Sequence, residues 1–187
     1  MNENKPKVSP SKYWLNFIWE VLKIVIISLA IIIPIRYFLI QPFFVKGASM
    51  EPNFLDGDYL IVDEISYRFA NPERGDIIIF RYPLDPSEFF IKRIIGLPGE
   101  EIKIQDGQII IVASGKEIVL DESAYLDNVY TPGNLEISLK SNEYFVLGDN
   151  RRASSDSRKW GPVPDKYIIG QAWVRAWPVY RFGIIGE

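Results

Sequence analysis

The chain reads Val45-Lys46-Gly47-Ala48-Ser49-Met50-Glu51-Pro52 where its longest apolar segment gives way to short β-rich runs. The stretch offers one small hydroxyl, that of Ser49. A serine hydroxyl is a weak nucleophile at neutral pH and needs a base within hydrogen-bond reach. Because the sequence has no histidine and no cysteine, composition excludes a Ser-His-Asp triad, a Cys-His pair and the usual zinc sites. A lysine or a carboxylate therefore has to be the base, and no metal or cofactor is expected.

Composition narrows the class of protein further. The 187 residues are 48% hydrophobic and 24% charged, which predicts one modest folded domain beside a membrane segment. The net charge of -3 argues against a nucleic-acid partner, because such partners select a basic face. The absence of cysteine means that no disulfide supports the fold, and it leaves the redox compartment open.

The segment from Trp14 to Phe44 is mostly apolar and is predicted to contain a membrane helix. Its longest run without a charged residue is Ile24 to Ile35, whereas a span needs about 20 residues to cross roughly 30 Å of hydrocarbon. Lys23 and Arg36 therefore have to reach opposite interfaces. Four aromatic residues are placed as an interfacial belt would be: Tyr13, Trp14, Trp19 and Tyr37.

Two other interpretations of this segment are a cleaved signal peptide and a buried core helix. No small-x-small cleavage site follows the apolar run, and the run has no polar stripe. We therefore expect a polar tail at residues 1–12, an uncleaved anchor at 13–41 and a second region at 42–187. Lysines outnumber glutamates before Ile24, which predicts a cytoplasmic N-terminus and an extracytoplasmic position for everything after Arg36.

The sequence pattern of residues 42–187 predicts a mainly β domain, because short β-rich runs are separated by Gly, Pro, Asn and Asp. The Asp106-Gly107 pair predicts a type I′ hairpin turn. Further turns are expected at 83–86 and 97–99, and residues 113–140 show little periodicity and are interpreted as a small excursion. The predicted strands are Tyr59–Tyr67, Asp76–Tyr82, Phe89–Leu97, Glu101–Gln105, Gln108–Val112, Tyr144–Leu147 and Tyr167–Trp173.

One lysine lies in a suitable environment for a base. If Phe89–Leu97 is a strand, Lys92 shares a face with Phe90 and Ile94. Apolar neighbours strip water from an ammonium group and lower its pKa, so the amine becomes neutral more easily. The alternative is a lysine that protects an edge strand from aggregation, which is the commoner role of a lone strand lysine.

A third cluster, Gly148 to Gly161, concentrates hydroxyls, carboxylates and guanidiniums. One interpretation is a turn-rich surface connection with exposed ion pairs of little energetic value. The other is a supporting shell, in which Ser154 hydrogen-bonds the lysine amine and a pair between Asp156 and Arg158 fixes the loop. The residues alone leave both interpretations open.

Together these clusters resemble the bacterial type I signal peptidases, which are membrane-anchored Ser/Lys serine proteases with an antiparallel β-sheet, partial-barrel catalytic domain. The resemblance implies that Ser49 is the nucleophile, Lys92 the general base and Ser154 the hydroxyl that positions the lysine. It makes Asp156 and Arg158 structural supports. The matching motifs occur in family order at Ser49–Pro52, Gly57–Val62, Arg74–Phe80, Ile91–Glu100 and Gly148–Arg158.

The resemblance also implies a substrate cleft and a second oxyanion donor. Some family members place a serine two residues before the nucleophile, where this chain has Gly47. A Gly47→Ser change is therefore expected to preserve or raise the rate, and the small Gly47 and Ala48 are expected to let an extended substrate approach closely. The residues expected to line the cleft are Phe43, Val45, Gly47, Met50, Phe54, Phe90 and Ile91.

The resemblance predicts an enzyme that removes signal peptides from exported preproteins at the plasma membrane, or at a thylakoid membrane in a photosynthetic source. Membrane lipid and the export machinery are its expected neighbours. Two alternatives are a self-cleaving Ser/Lys repressor-type protease and a catalytically silent, membrane-tethered β domain that binds extended peptides. The anchor and the acidic charge disfavour the repressor-type protease.

Overall fold

The computed structural model describes residues 10–38, 40–127 and 130–186, which belong to one unit ending at residue 39 and a second beginning at residue 40. Of the predicted tail at 1–12, residues 1–9 lie outside the described residues, as do the side chains of Arg36 and Tyr37, and residues 10–12 belong to the first helix. The helices are α1 (Pro10–Phe38) and α2 (Ser157–Trp160). The strands are β1 (Ile40–Phe44), β2 (Tyr59–Asp63), β3 (Ile77–Tyr82), β4 (Asp85–Gly96), β5 (Glu101–Gln105), β6 (Gln108–Ala113), β7 (Lys116–Val119), β8 (Leu135–Ser138), β9 (Glu143–Leu147), β10 (Val163–Pro164), β11 (Ile168–Trp177) and β12 (Gly183–Ile184).

The first unit is built on helix α1, whose 29 residues correspond to a length of about 43 Å. That length exceeds the roughly 30 Å of a hydrocarbon core. Its stretch from Tyr13 to Ile33 is apolar and exposed, which speaks against a buried core helix. The helix begins at Pro10 and ends at Phe38, short of the expected boundary at 41, because Ile40 and Gln41 already pair with β2.

The second unit contains two antiparallel sheets, which confirms the mainly β prediction. The larger sheet has the order β1-β2-β11-β3-β4-β9-β10, with β12 paired to β11. The smaller sheet has the order β7-β6-β5-β8. Asp106 and Gly107 join β5 to β6 with φ angles of 53° and 81°, the two positive values that a type I′ turn needs.

Several predicted element boundaries were wrong, for local reasons. Strand β2 ends at Asp63, because the Asp63 carboxylate accepts hydrogen bonds from Ile65 N–H (2.8 Å) and Ser66 N–H (3.0 Å) and starts a 3₁₀ turn. Strand β4 begins at Asp85, so the preceding turn is confined to residues 83–84. The predicted excursion at 113–140 contains strands β7 and β8, each only four residues long. Such strands place two side chains on each face, too few for a periodic pattern.

The larger sheet brings the predicted chemical residues onto neighbouring segments. Ser49 lies in the turn that follows β1, and Lys92 lies on β4 opposite Ile78 of β3. The loop that starts at Gly148 directly follows β9, which pairs with the second half of β4. A buried cluster supports these segments; its members are Val45, Met50, Phe54, Leu60, Val62, Ile77, Ile79 and Ala172.

Candidate active site

The structure brings Ser49 and Lys92 into direct contact. Lys92 Nζ lies 2.8 Å from Ser49 Oγ, although 43 positions separate the two residues in sequence. The same Nζ donates a second hydrogen bond of 2.8 Å to the carbonyl oxygen of Ile91. This is the geometry that a nucleophile and its base require.

The ammonium group of Lys92 is almost completely removed from water. Only 3% of Lys92 is exposed, and its Nζ lies 5.5 Å from the ring centroid of Phe90. Burial lowers the pKa of Lys92 to about 8, while the charges of Asp156 and Asp149 act in the opposite direction. The pKa is therefore low enough for much of the amine to be neutral at a mildly alkaline pH.

The turn that carries Ser49 is held by Asn150, a residue that the sequence analysis did not single out. The backbone N–H of Asn150 donates to the carbonyl oxygen of Ser49 at 3.0 Å, and its side-chain amide donates to that of Ala48 at 3.0 Å. The backbone N–H of Ser49 makes no hydrogen bond to any part of the chain described here. That N–H is therefore available to stabilise an oxyanion.

Asp156 and Arg158 form the predicted ion pair. Arg158 donates from Nε to Asp156 Oδ1 at 2.8 Å and from Nη2 to Oδ2 at 2.8 Å. Burial favours a raised pKa for Asp156, but these bonds, the Arg158 charge and the N–H of Gly148 hold its pKa below the usual value. Arg158 also donates to the carbonyl oxygen of Arg151 at 2.7 Å. The pair therefore ties both ends of the loop together.

Ser154 does not make the predicted hydrogen bond to Lys92. Its Oγ is buried and makes no hydrogen bond of normal geometry among residues 10–38, 40–127 and 130–186, although it lies near enough to the Asp156 carboxylate to help lower the pKa of that group. The hydroxyl is nevertheless packed close to the nucleophile's turn: a Cβ atom on Gly148 would lie 2.2 Å from Ser154 Oγ and 2.4 Å from the Ser49 carbonyl oxygen. Glycine at 148 therefore permits a backbone approach that any side chain would prevent.

A buried network of charged and polar side chains supports the loop that starts at Gly148. Arg93 donates from Nε and Nη2 to the two carboxylate oxygens of Asp149, at 2.8 and 2.7 Å. Asn53 donates to Asp149 at 2.7 Å, and Arg93 stacks 3.8 Å from the ring centroid of Tyr125. This network was not predicted from the sequence. The one relevant sequence feature is that Arg93 directly follows Lys92 on β4, so the two side chains lie on opposite faces of the sheet.

A cleft of about 760 Å³ lies beside Ser49 and Lys92. Of the residues predicted to line it, five do so: Phe43, Val45, Gly47, Phe90 and Ile91. The sequence analysis missed several further lining residues, namely Pro42, Phe44, Lys46, Leu60, Ile79, Glu88, Phe89, Ala153 and Ser155. The wall is largely apolar with a few polar groups, as in most ligand clefts.

Met50 and Phe54 were predicted to line the cleft, and the structure places them elsewhere. Met50 is 0% and Phe54 2% exposed, and both lie in the buried cluster beneath the larger sheet. Their side chains follow Ser49 in sequence, but the turn directs them inward, where they pack against Leu60 and its neighbours. Their contribution is to support the turn.

Gly47 departs from the extended conformation, with φ of +80°. A Cβ atom there would have no neighbour within 4 Å, so space is not limiting. The left-handed backbone conformation, however, costs a non-glycine residue about 1–2 kcal/mol. The expectation that Gly47→Ser would preserve or raise the rate is therefore not supported, because a serine would have to strain or shift the backbone before its hydroxyl could help.

Comparisons with known proteins agree with this geometry. The family model described as "Signal peptidase, peptidase S26" matches residues 18–177. The chain is 37% identical over 192 residues to the probable signal peptidase I-2 of Synechocystis, covering 98% of this chain and 82% of that protein. It is 40% identical over 177 residues to the signal peptidase I of Leptolyngbya laminosa, covering 89% and 83%.

A chloroplast protein is also similar. The probable thylakoidal processing peptidase 2 of Arabidopsis thaliana is 32% identical over 174 residues, covering 88% of this chain and 45% of that protein.

Proposed function

Since this chain belongs to the signal peptidase family, peptidase S26, we propose that it is a membrane-anchored serine endopeptidase that removes signal peptides from exported preproteins. Ser49 is the nucleophile and Lys92 the general base. The observation that carries this assignment is the 2.8 Å contact between Ser49 Oγ and a lysine amine that is only 3% exposed.

The geometry supports acyl transfer in two steps. Neutral Lys92 accepts the proton of the Ser49 hydroxyl as Oγ attacks the scissile carbonyl carbon, and the resulting oxyanion is stabilised by the Ser49 N–H. Collapse of this intermediate breaks the C–N bond, and Lys92 returns the proton to the departing amine, which is the N-terminus of the mature protein. Lys92 then takes a proton from water, the hydroxide attacks the ester, and Ser49 is released with its proton restored.

The supporting residues act through the reacting pair. Asp156 and Arg158 hold the loop whose Asn150 fixes the carbonyl groups of Ala48 and Ser49. Ser154 packs against Gly148, next to the carbonyl oxygen of Ser49. We assign to these residues the positioning of Ser49 and Lys92, because hydrogen bonds made by the neighbours of a reacting group fix its orientation.

The test of the proposed function is cleavage of a model preprotein by the full-length protein in detergent. The wild-type chain should release a mature fragment whose new N-terminus lies directly after the signal peptide. Ser49→Ala should release none, because the hydroxyl that forms the ester is gone. Equal cleavage by both proteins would refute the assignment of Ser49.

We expect the enzyme to cleave after Ala-x-Ala-like sequences. Phe43, Phe90 and Ile91 line the cleft. We expect these side chains to clash with a bulky side chain directly before the scissile bond, or at the third residue before it. Steric exclusion of this kind discriminates far more strongly than a pocket that merely tolerates alanine. Peptides with leucine at either position should lose at least about 100-fold in kcat/KM. Turnover equal to that of the alanine peptide would contradict the prediction.

The apolar helix α1 and the family assignment indicate a membrane-anchored protein. The proposed orientation puts the N-terminus in the cytoplasm and residues after 42 on the extracytoplasmic face of a plasma or thylakoid membrane, in contact with lipid and near the export machinery. Protease added outside spheroplasts should therefore digest residues 42–187 and spare an epitope at Met1. Protection of the second region would overturn this orientation.

A further inference from the structure

The segment Val45–Gly47, which forms one wall of the cleft, is held along one edge by the loop at residues 56–58. The N–H of Val45 donates to the carbonyl oxygen of Asp58 at 2.9 Å, and the N–H of Gly57 donates to the carbonyl oxygen of Val45 at 2.9 Å. The segment thus behaves as a short additional strand against this loop.

Successive residues of an extended chain direct their backbone groups to opposite edges. Because Val45 uses both of its backbone groups toward the loop, Lys46 directs its N–H and C=O the other way. Lys46 lines the cleft, and neither of these backbone groups has a hydrogen-bond partner within the described residues. They form a free edge to which a peptide backbone can add.

The next backbone group that points toward the loop is the N–H of Gly47, and its acceptor is a side-chain carboxylate, not a backbone carbonyl. Gly47 donates its N–H to Asp56 Oδ1 at 2.7 Å, a short bond to a charged acceptor. Gly47 is also where φ changes to +80° and the chain turns toward Ser49. The carboxylate of Asp56 therefore fixes the last residue of the wall immediately before the nucleophile's turn.

We propose that Asp56 is a positioning residue for substrate binding: it locks Gly47 so that the free edge of Lys46 holds the extended end of the signal peptide in register with Ser49. This inference rests on the proposed function. Asp56 should affect substrate binding more than the chemical step, because its side chain hydrogen-bonds Gly47 and makes no hydrogen bond to Ser49 or Lys92.

The test compares Asp56→Ala with Asp56→Asn, which keeps a side-chain oxygen able to accept the Gly47 N–H. Asp56→Ala should raise KM by about tenfold with kcat changed less than threefold, and Asp56→Asn should restore most of the affinity. A purely structural defect would lower the melting temperature and reduce activity in both variants. Both melting temperatures should stay near that of the wild type, since Asp56 is exposed.

A peptide series gives a second readout. Single N-methyl groups are placed on the amides of the four residues before the scissile bond, and KM is measured for each peptide. The amide that pairs with Lys46 should show the largest penalty in the wild-type enzyme, and that penalty should shrink in Asp56→Ala because the edge is no longer held. Such loss of additivity identifies coupled sites.

Three outcomes would overturn the proposal: wild-type KM in Asp56→Ala, equal losses in Asp56→Ala and Asp56→Asn, or an N-methyl penalty that is unchanged in Asp56→Ala. None of these outcomes would contradict the proposed function. That function is tested separately, by whether the wild type cleaves a preprotein and Ser49→Ala does not.

Discussion

Replacing Lys92 with alanine should reduce kcat/KM by about 10⁴-fold or more, since the general base is removed and the Ser49 hydroxyl keeps its proton. The wild-type kcat/KM should rise with pH through one ionisation whose midpoint lies near 8, because the amine is active only when neutral and burial lowers its pKa to about 8. The unperturbed pKa of a lysine is about 10.4, well above this midpoint. The measurement is a pH profile of peptide cleavage between pH 5 and pH 10.

Few other groups in this chain can produce that ionisation. The sequence has no histidine or cysteine, and burial moves the pKa values of Tyr67 and Tyr125 upward, away from neutrality. The matched control is Lys159→Ala. Lys159 is exposed, so its replacement should leave the pH profile of kcat/KM unchanged. Wild-type activity in Lys92→Ala, with the same acid limb, would falsify the dyad.

The contact of Ser49 with a lysine was predictable because the composition leaves so few options for a base. Without histidine or cysteine, a base for Ser49 had to be a lysine or carboxylate, and the alternation of β4 placed Lys92 on a face with Phe90. Strand β5, whose apolar and polar residues alternate clearly, was also predicted with correct ends. These features depend on local patterns, which a sequence carries.

The contacts between distant loops were not predictable in the same way. The bond from Gly47 to Asp56 and that from Asn150 to Ala48 depend on how irregular backbone turns in space. Met50 shows the same limit: the family resemblance implied a cleft residue, but the turn directs it into the core. No periodicity specifies the direction of a side chain in a tight turn, so such residues need the three-dimensional structure.

Removing the carboxylate of Asp149 should destabilise the second unit by about 3–5 kcal/mol, because the paired guanidinium of Arg93 would be left buried without its counter-charge. The side chains of Arg93 and Asp149 are 9% and 0% exposed, and two parallel hydrogen bonds join them. Asp149→Ala should therefore unfold at a much lower denaturant concentration than the wild type, as followed by tryptophan fluorescence of the full chain in detergent. Activity should fall in proportion to the folded fraction and beyond it, since Asn150 follows directly.

The control for this loss is an ion pair of the same chain whose lysine is exposed to solvent. Lys140 and Glu143 are joined at 2.8 Å, but the Lys140 side chain is 77% exposed, so Lys140→Ala should cost less than about 1 kcal/mol. Replacing both buried partners, as in Arg93→Met with Asp149→Leu, should cost less than Asp149→Ala alone, because no unpaired charge remains buried. If Asp149→Ala is as stable as Lys140→Ala, the buried pair does not hold the loop beneath Ser49, and the ordering of Asn150 has to come from the Asp156 to Arg158 pair instead.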